Sequence, residues 1–141
     1  MLRKSLAYVT LVLSFLASGC SSPTIPQTDL LIGSWLAFET ELDGVVRDLS
    51  HPRATGIGRF DFAADSTARI HLWFDGHLSI IPLTLEWKTE GNELFTRPDS
   101  EGSWWSHGTY SVNKRILVIT YMHMDGTDVT PEVWRYSRVT S

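Results

Sequence analysis

The chain has 141 residues, 43% of them apolar and 20% charged, with a formal net charge of −4. Those fractions suit one ordinary globular domain and exclude a disordered, fibrous or multidomain chain. The mild, scattered acidity leaves no electrostatic footprint for nucleic acid.

Residues 1–19 read as an address. Arg3 and Lys4 form a basic start, residues 6–16 an apolar stretch too short to span a bilayer, and Ala17-Ser18-Gly19 a small-residue cleavage site. Removing this leader takes away two basic residues and no acidic ones, so the charge of −4 becomes −6. Cys20 follows at once and is the sole cysteine, which rules out an intramolecular disulfide. A cysteine in that place resembles the lipobox of bacterial lipoproteins, although Ala17 stands where Leu is most common there. The resemblance implies that Cys20 carries a diacylglycerol and an N-acyl chain such as palmitate. Acyl burial at about 0.8 kcal/mol per CH₂ makes several such chains a firm membrane anchor. Ser21 occupies the position where an Asp would favour inner-membrane retention, so the resemblance further implies the outer membrane, with the domain facing the periplasm.

Residues 20–29 carry Pro23 and Pro26 among polar side chains and predict an extended linker. The domain proper is residues 30–141. From Leu30 onward, short runs rich in β-branched and aromatic residues are separated by Gly, Asp, Asn and Pro at intervals of roughly 8–12 residues, the spacing of an antiparallel sandwich or barrel.

Residues 34–42 predict the first strand, with Asp43-Gly44 as a tight hairpin and residues 45–49 as a short return. Residues 56–62 and 67–74 alternate with period two: Phe60 and Phe62 share one face, as do Ala68, Ile70, Leu72 and Phe74. Asp75-Gly76 is a second hairpin signal. Residues 78–88 form a β-rich run in which Pro82 marks a bulge, a bend or an edge position, and Leu83, Leu85 and Trp87 share a face. Gly91-Asn92 turns the chain into residues 93–97, and residues 98–103 are loop. Residues 108–112 and 116–122 predict a hairpin about Asn113-Lys114-Arg115, and residues 132–139 the last strand. The count of roughly eight to nine strands fits the space available.

Gly33-Ser34-Trp35 at the head of the first strand, with Arg138 near the end of the last, resembles the Gly-x-Trp and C-terminal Arg pair of the lipocalins. The segments LIGSW, FDFAADSTARI, WKTEGNEL, GTYSVNKRILVI and WRYSR together resemble the short bacterial lipocalin-like lipoproteins. The resemblance implies an all-β, small closed antiparallel up-and-down barrel of about eight strands, with Arg138 lying across Trp35 to close one end. The Thr-Asp-Tyr motif found before a late strand in the larger members is absent; Thr109-Tyr110-Ser111 is the nearest segment.

No nucleophile elbow, phosphate-binding glycine loop, His-x-x-x-His pair or CxxC is present, and the carboxylates are dispersed. The expectation is a non-enzymatic protein that needs no cofactor. Met122-His123-Met124 is a weak candidate for copper, since strand alternation points the two thioethers away from the imidazole. Asp125-Gly126-Thr127-Asp128 lacks the further oxygens of a calcium loop and reads as a turn.

The six tryptophans are more informative. Trp87, Tyr110, Trp134 and Tyr136 are candidates to line a ligand cavity, with core packing the competing account. Trp104 and Trp105 are consecutive and face opposite ways, so one is a candidate anchor for a partner protein or a cap on the barrel. The sequence therefore predicts binding of a small, mostly apolar molecule. The alternative is an envelope module that binds another protein, like small barrel lipoproteins that inhibit lysozyme. Interior volume separates the two: a vacant pocket favours the first and a solid core the second.

Overall fold

A computed structural model describes residues 27–49 and 55–140, with the side chains of 123–125 outside that description. Cys20, the leader and His51 lie outside the described residues, as do the side chains of His123 and Met124.

A short helix α1 (Gln27–Leu31) leads into ten strands: β1 (Gly33–Leu42), β2 (Val45–Asp48), β3 (Gly56–Phe62), β4 (Thr67–Phe74), β5 (His77–Leu78), β6 (Leu83–Glu90), β7 (Glu93–Arg97), β8 (Trp105–Val112), β9 (Ile116–Asp125) and β10 (Asp128–Arg138). The helix corrects the expectation of an extended linker through residue 29. Its one buried residue, Leu31, supplies the reason, because a helical turn is what tucks that side chain under the barrel.

All the strand pairs are antiparallel, in the order β10-β9-β8-β7-β6-β4-β3-β1, and β10 pairs back with β1. That last pairing, Trp35 opposite Arg138 through Leu42 opposite Glu132, closes the sheet into a barrel of eight strands. Two short strands stand outside the circuit: β2 lies along the upper part of β1, and β5 folds back on β4. Closure removes the free edges that an open sheet would offer to other chains.

The hairpins form where the turn residues demand them. Asp43-Gly44 and Asp75-Gly76 adopt the consecutive positive φ angles of a type I′ turn, 52° and 71° in the first and 49° and 72° in the second. Three features of the register differ from simple alternation. β1 carries an irregularity between Ala37 and Glu39, β3 one between Ile57 and Arg59, and β8 one opposite Glu93 to Phe95 of β7. The last strand also begins earlier than predicted, at Asp128, and runs through Pro131. Above Glu132 it pairs with β9 alone, so its other side needs no donor from Pro131.

Pro82 ends the segment Ser79-Ile80-Ile81-Pro82 between β5 and β6. Ser79 is pinned to β4: its N–H donates to Leu72 O at 2.8 Å, and its hydroxyl accepts from Leu72 N–H at 3.0 Å. Ile80 and Ile81, 94% and 80% exposed, are held out in solvent by that clamp.

Candidate ligand site

The two ends of the barrel differ in chemistry. The turns after β3, β6 and β8 lie at the end where the chain enters β1, and this end is sealed. Arg138 sets its guanidinium 4.3 Å above the Trp35 ring. The same group donates to three carbonyl oxygens: Lys114 at 3.0 Å, Ile32 at 2.9 Å and Leu30 at 2.5 Å. Trp35 Nε1–H in turn donates to Leu31 O at 2.8 Å, so α1 is fastened as a plug beneath the barrel. Gly33 stands at φ 131°, and a Cβ there would collide with the Arg138 guanidinium, which is why this position requires glycine.

Above the plug the interior is solid. Phe60 and Phe62 stack with ring centroids 5.0 Å apart, Phe62 meets Trp87 at 5.0 Å, and Phe60 meets Tyr136 edge-on at 5.4 Å. The four aromatics expected to line a cavity belong to this packed core: Trp87 and Tyr110 are 5% exposed, Trp134 1% and Tyr136 0%. Their polar atoms serve the fold. Trp87 Nε1–H donates to Ala63 O, Trp134 Nε1–H to Glu132 Oε1 and the Tyr136 hydroxyl to Ile57 O. Tyr110 differs, because its hydroxyl is buried without a hydrogen-bond partner.

Toward the opposite end the inner wall opens. Leu83 pairs with the buried Ile70, and Trp105 pairs with the buried Thr96, so both face inward. Leu72 and Phe74 continue the row of Ala68 and Ile70 along β4. These four remain 39% (Leu72), 48% (Phe74), 50% (Leu83) and 54% (Trp105) exposed. The residues expected as partner anchors separate here. Trp105 joins the open inner wall, whereas Trp104 is covered by two cations, Lys88 Nζ at 4.6 Å and the Arg97 guanidinium at 4.5 Å from its ring.

A cavity of about 360 Å³ lies where β8 and β9 part. The two strands pair only from Thr109 opposite Thr120 to Val112 opposite Leu117. Beyond that point Trp105 to Gly108 keep β7 as their neighbour and Tyr121 to Asp125 keep β10. Gly108 makes the divergence: its φ is 85°, and a Cβ would overlap the carbonyl oxygen of Thr120. The extra residue turns His107 inward and Thr109 outward, as glycine-containing bulges do. Inner-face side chains, His107 and Tyr121, and outer-face ones, Thr109 and Thr120, thus border the same cavity.

His107 and Tyr121 are both strongly perturbed in it. Burial lowers the pKa of His107 from 6.5 to about 4, so the ring is neutral at ordinary pH. Its Nε2 shares a hydrogen bond with the Thr96 hydroxyl at 2.7 Å, and its ring meets Phe60 and Tyr121 edge-on at 6.1 and 6.2 Å. The Tyr121 hydroxyl lies 3.3 Å from that of Tyr136. Burial is the first cause raising both phenolic pKa values above 10.0. By sequence His107 reads as one of four scattered histidines, with His51, His71 and His77, each a solvated residue or loop anchor; its burial against Thr96 within a strand corrects that, and Tyr121 carries no signal of its own. The signal available there was Gly108 inside a strand, the mark of a bulge that re-aims its neighbour.

Met122 is exposed beside the cavity. Among the described residues no group of three or more His, Cys, Asp or Glu side chains is placed to hold a metal ion, and no helix is long and apolar enough to cross a membrane.

No family model matches the chain, and no curated protein matches it. Among solved structures it is similar to the bovine lipocalin allergen Bos d 2, at 16% identity over 82% of this chain and 77% of that chain, with a TM-score of 0.48.

Proposed function

We propose that this protein is a non-enzymatic binder of a small, largely apolar molecule held in the open half of its barrel. The observation that carries the reading is the change along the inner wall. Side chains near the sealed end are buried against one another, while Leu72, Phe74, Leu83 and Trp105 present apolar surface to an unfilled mouth. Inward apolar surface of that kind costs free energy in water at about 25 cal/mol per Å², which an apolar ligand recovers. The cavity of about 360 Å³ between β8 and β9 lies at the low end of the range typical for small-molecule sites.

The address belongs to the same proposal. Cleavage before Cys20 and acylation of its thiol would tether the barrel to the outer membrane on the periplasmic side, with the membrane reached through lipid and not through the acidic domain surface. The first described residue, Gln27, stands at the sealed end, since Thr28 shares a hydrogen bond with Thr89 near the end of β6. A tether leaving there keeps the mouth clear.

Titration with the neutral probe N-phenyl-1-naphthylamine tests the reading. Saturable binding is expected, weakened about tenfold or more by Leu83→Glu, which sets a charge in the apolar wall. Probe fluorescence that rises without saturation, or that ignores the substitution, would sink it.

A second reading, docking to an envelope protein, draws on Ile80 and Ile81. Two clamped, fully presented isoleucines suit a protein interface better than they suit free solvent. Native mass spectrometry of protein extracted with its bound contents separates the readings: a small-molecule mass supports the first and a protein adduct the second.

A further inference from the structure

The geometry points to the opening between β8 and β9 as the seat for the polar end of an uncharged amphiphile, an alcohol rather than a carboxylate, with its chain lying along Leu83 and Trp105. This rests on the ligand-binding reading above and adds the chemical class. Three observations carry it.

The first is the gap itself. Trp105 to Gly108 and Tyr121 to Asp125 face one another without ladder hydrogen bonds between them; the Gly108 N–H is taken by the Ser106 hydroxyl at 3.0 Å, and the rest of this backbone edge borders the cavity. A neutral group that both donates and accepts is what such an edge can satisfy.

The second is the state of the two inward side chains. One His107 nitrogen is taken by Thr96, and the other has no hydrogen-bond partner among the described residues. Whichever tautomer is present, a ligand hydroxyl satisfies the free nitrogen, by donating to it or by accepting from it. Because the Tyr136 hydroxyl donates to Ile57 O, the Tyr121 hydroxyl donates to Tyr136 and is left as an acceptor. Burial keeps the imidazole neutral, so it offers no cation to an anionic head group.

The third is charge. Among the described residues, the one formally charged side chain bordering the cavity is Glu93, and no lysine or arginine lines it. A carboxylate placed there would lose its hydration and face a like charge. Two half-buried cations, Lys88 and Arg97, lie over Trp104 on the outer face and pair with Glu90 and Glu86.

The test is displacement of N-phenyl-1-naphthylamine from the full chain at neutral pH by 1-decanol, decanoate and decylammonium, which share one chain length. Decanol is expected to compete about tenfold better than either ion. His107→Phe keeps the edge-on ring contacts and is expected to erase that advantage, read as the ratio of decanol to decanoate competition against the probe affinity remeasured for the variant. Met122→Lys, at an exposed position on the cavity rim, is expected to move the preference toward decanoate without disturbing the fold. Equal or tighter binding of either ion by the unaltered protein would overturn the inference and leave the binding reading standing. Failure of all three to displace a bound probe would do the same. Failure of the probe itself to bind would take down both.

Discussion

Arg138 joins the two ends of the folded chain by lying over Trp35, 4.3 Å from its ring, while donating to carbonyls of Leu30, Ile32 and Lys114. One guanidinium therefore secures the helix before β1, the β8–β9 turn and the end of β10. Arg138→Ala removes the stacking and leaves those carbonyls without a charged donor, a loss of about 2–4 kcal/mol. Arg138→Lys is expected to recover less than half of it, because a single ammonium cannot serve diverging carbonyls while covering an indole. Urea unfolding of the three proteins measures both. A lysine variant as stable as the parent would show that the fork geometry is irrelevant.

At Gly108 the backbone conformation and the space available both require a residue without a side chain. Its φ of 85° is strained for any L-residue, and a Cβ would meet the Thr120 carbonyl. Gly108→Ala should cost on the order of 1–3 kcal/mol. The amide signals of Thr109 and Thr120, which pair across the β8–β9 ladder, are expected to shift most. Uniform shifts through the barrel would contradict a local bulge.

How much of this was legible beforehand follows from what each signal depends on. The turn pairs Asp43-Gly44 and Asp75-Gly76, the alternation of residues 56–74 and the Trp35–Arg138 closure rest on local chemistry or on a compact motif, and each can be read along the chain. The cavity could not, because it depends on which strands stop pairing. Trp87, Tyr110, Trp134 and Tyr136 are natural candidates to line it, and alternation places them inward. Alternation says nothing of how well each inward side chain is covered, however: these four are buried, whereas Leu83 and Trp105 remain half exposed. The cavity is set by where β8 leaves β9, a consequence of one glycine acting on a neighbour across the sheet.

Acid should destabilise the fold through His107. Its pKa falls from 6.5 in the unfolded chain to about 4 in the folded one, so between those values the unfolded state binds the extra proton. Stability from this group is complete above pH 6.5 and is lost as pH falls toward 4, by about 3 kcal/mol in all. Asp61, whose pKa is lowered by its hydrogen bonds to Arg59 and Ser34 against the opposing effect of burial, adds an acid sensitivity of the same sign only below its ordinary value of 3.8. The two windows are therefore distinct. Thermal melts of His107→Gln should be flat from pH 6.5 to 4.5 where the parent declines, and parallel curves would assign the decline elsewhere.

Trp105 offers a direct view of the mouth. It is 54% exposed on the inner wall, while Trp35, Trp87 and Trp134 are buried at the filled level. Acrylamide should therefore quench the parent far more than Trp105→Phe, with the residual quenching owed to the partly covered Trp73 and Trp104. Occupation of the mouth by a neutral alcohol should shield Trp105 and shift the parent's emission toward the blue. The same alcohol should leave the emission of Trp105→Phe unmoved, since the remaining indoles either lie in the sealed core or stand outside the inner wall. Phenylalanine keeps the apolar contact, so alcohol affinity itself should change by less than about threefold. A blue shift of equal size in both proteins would place the alcohol somewhere other than the open inner wall.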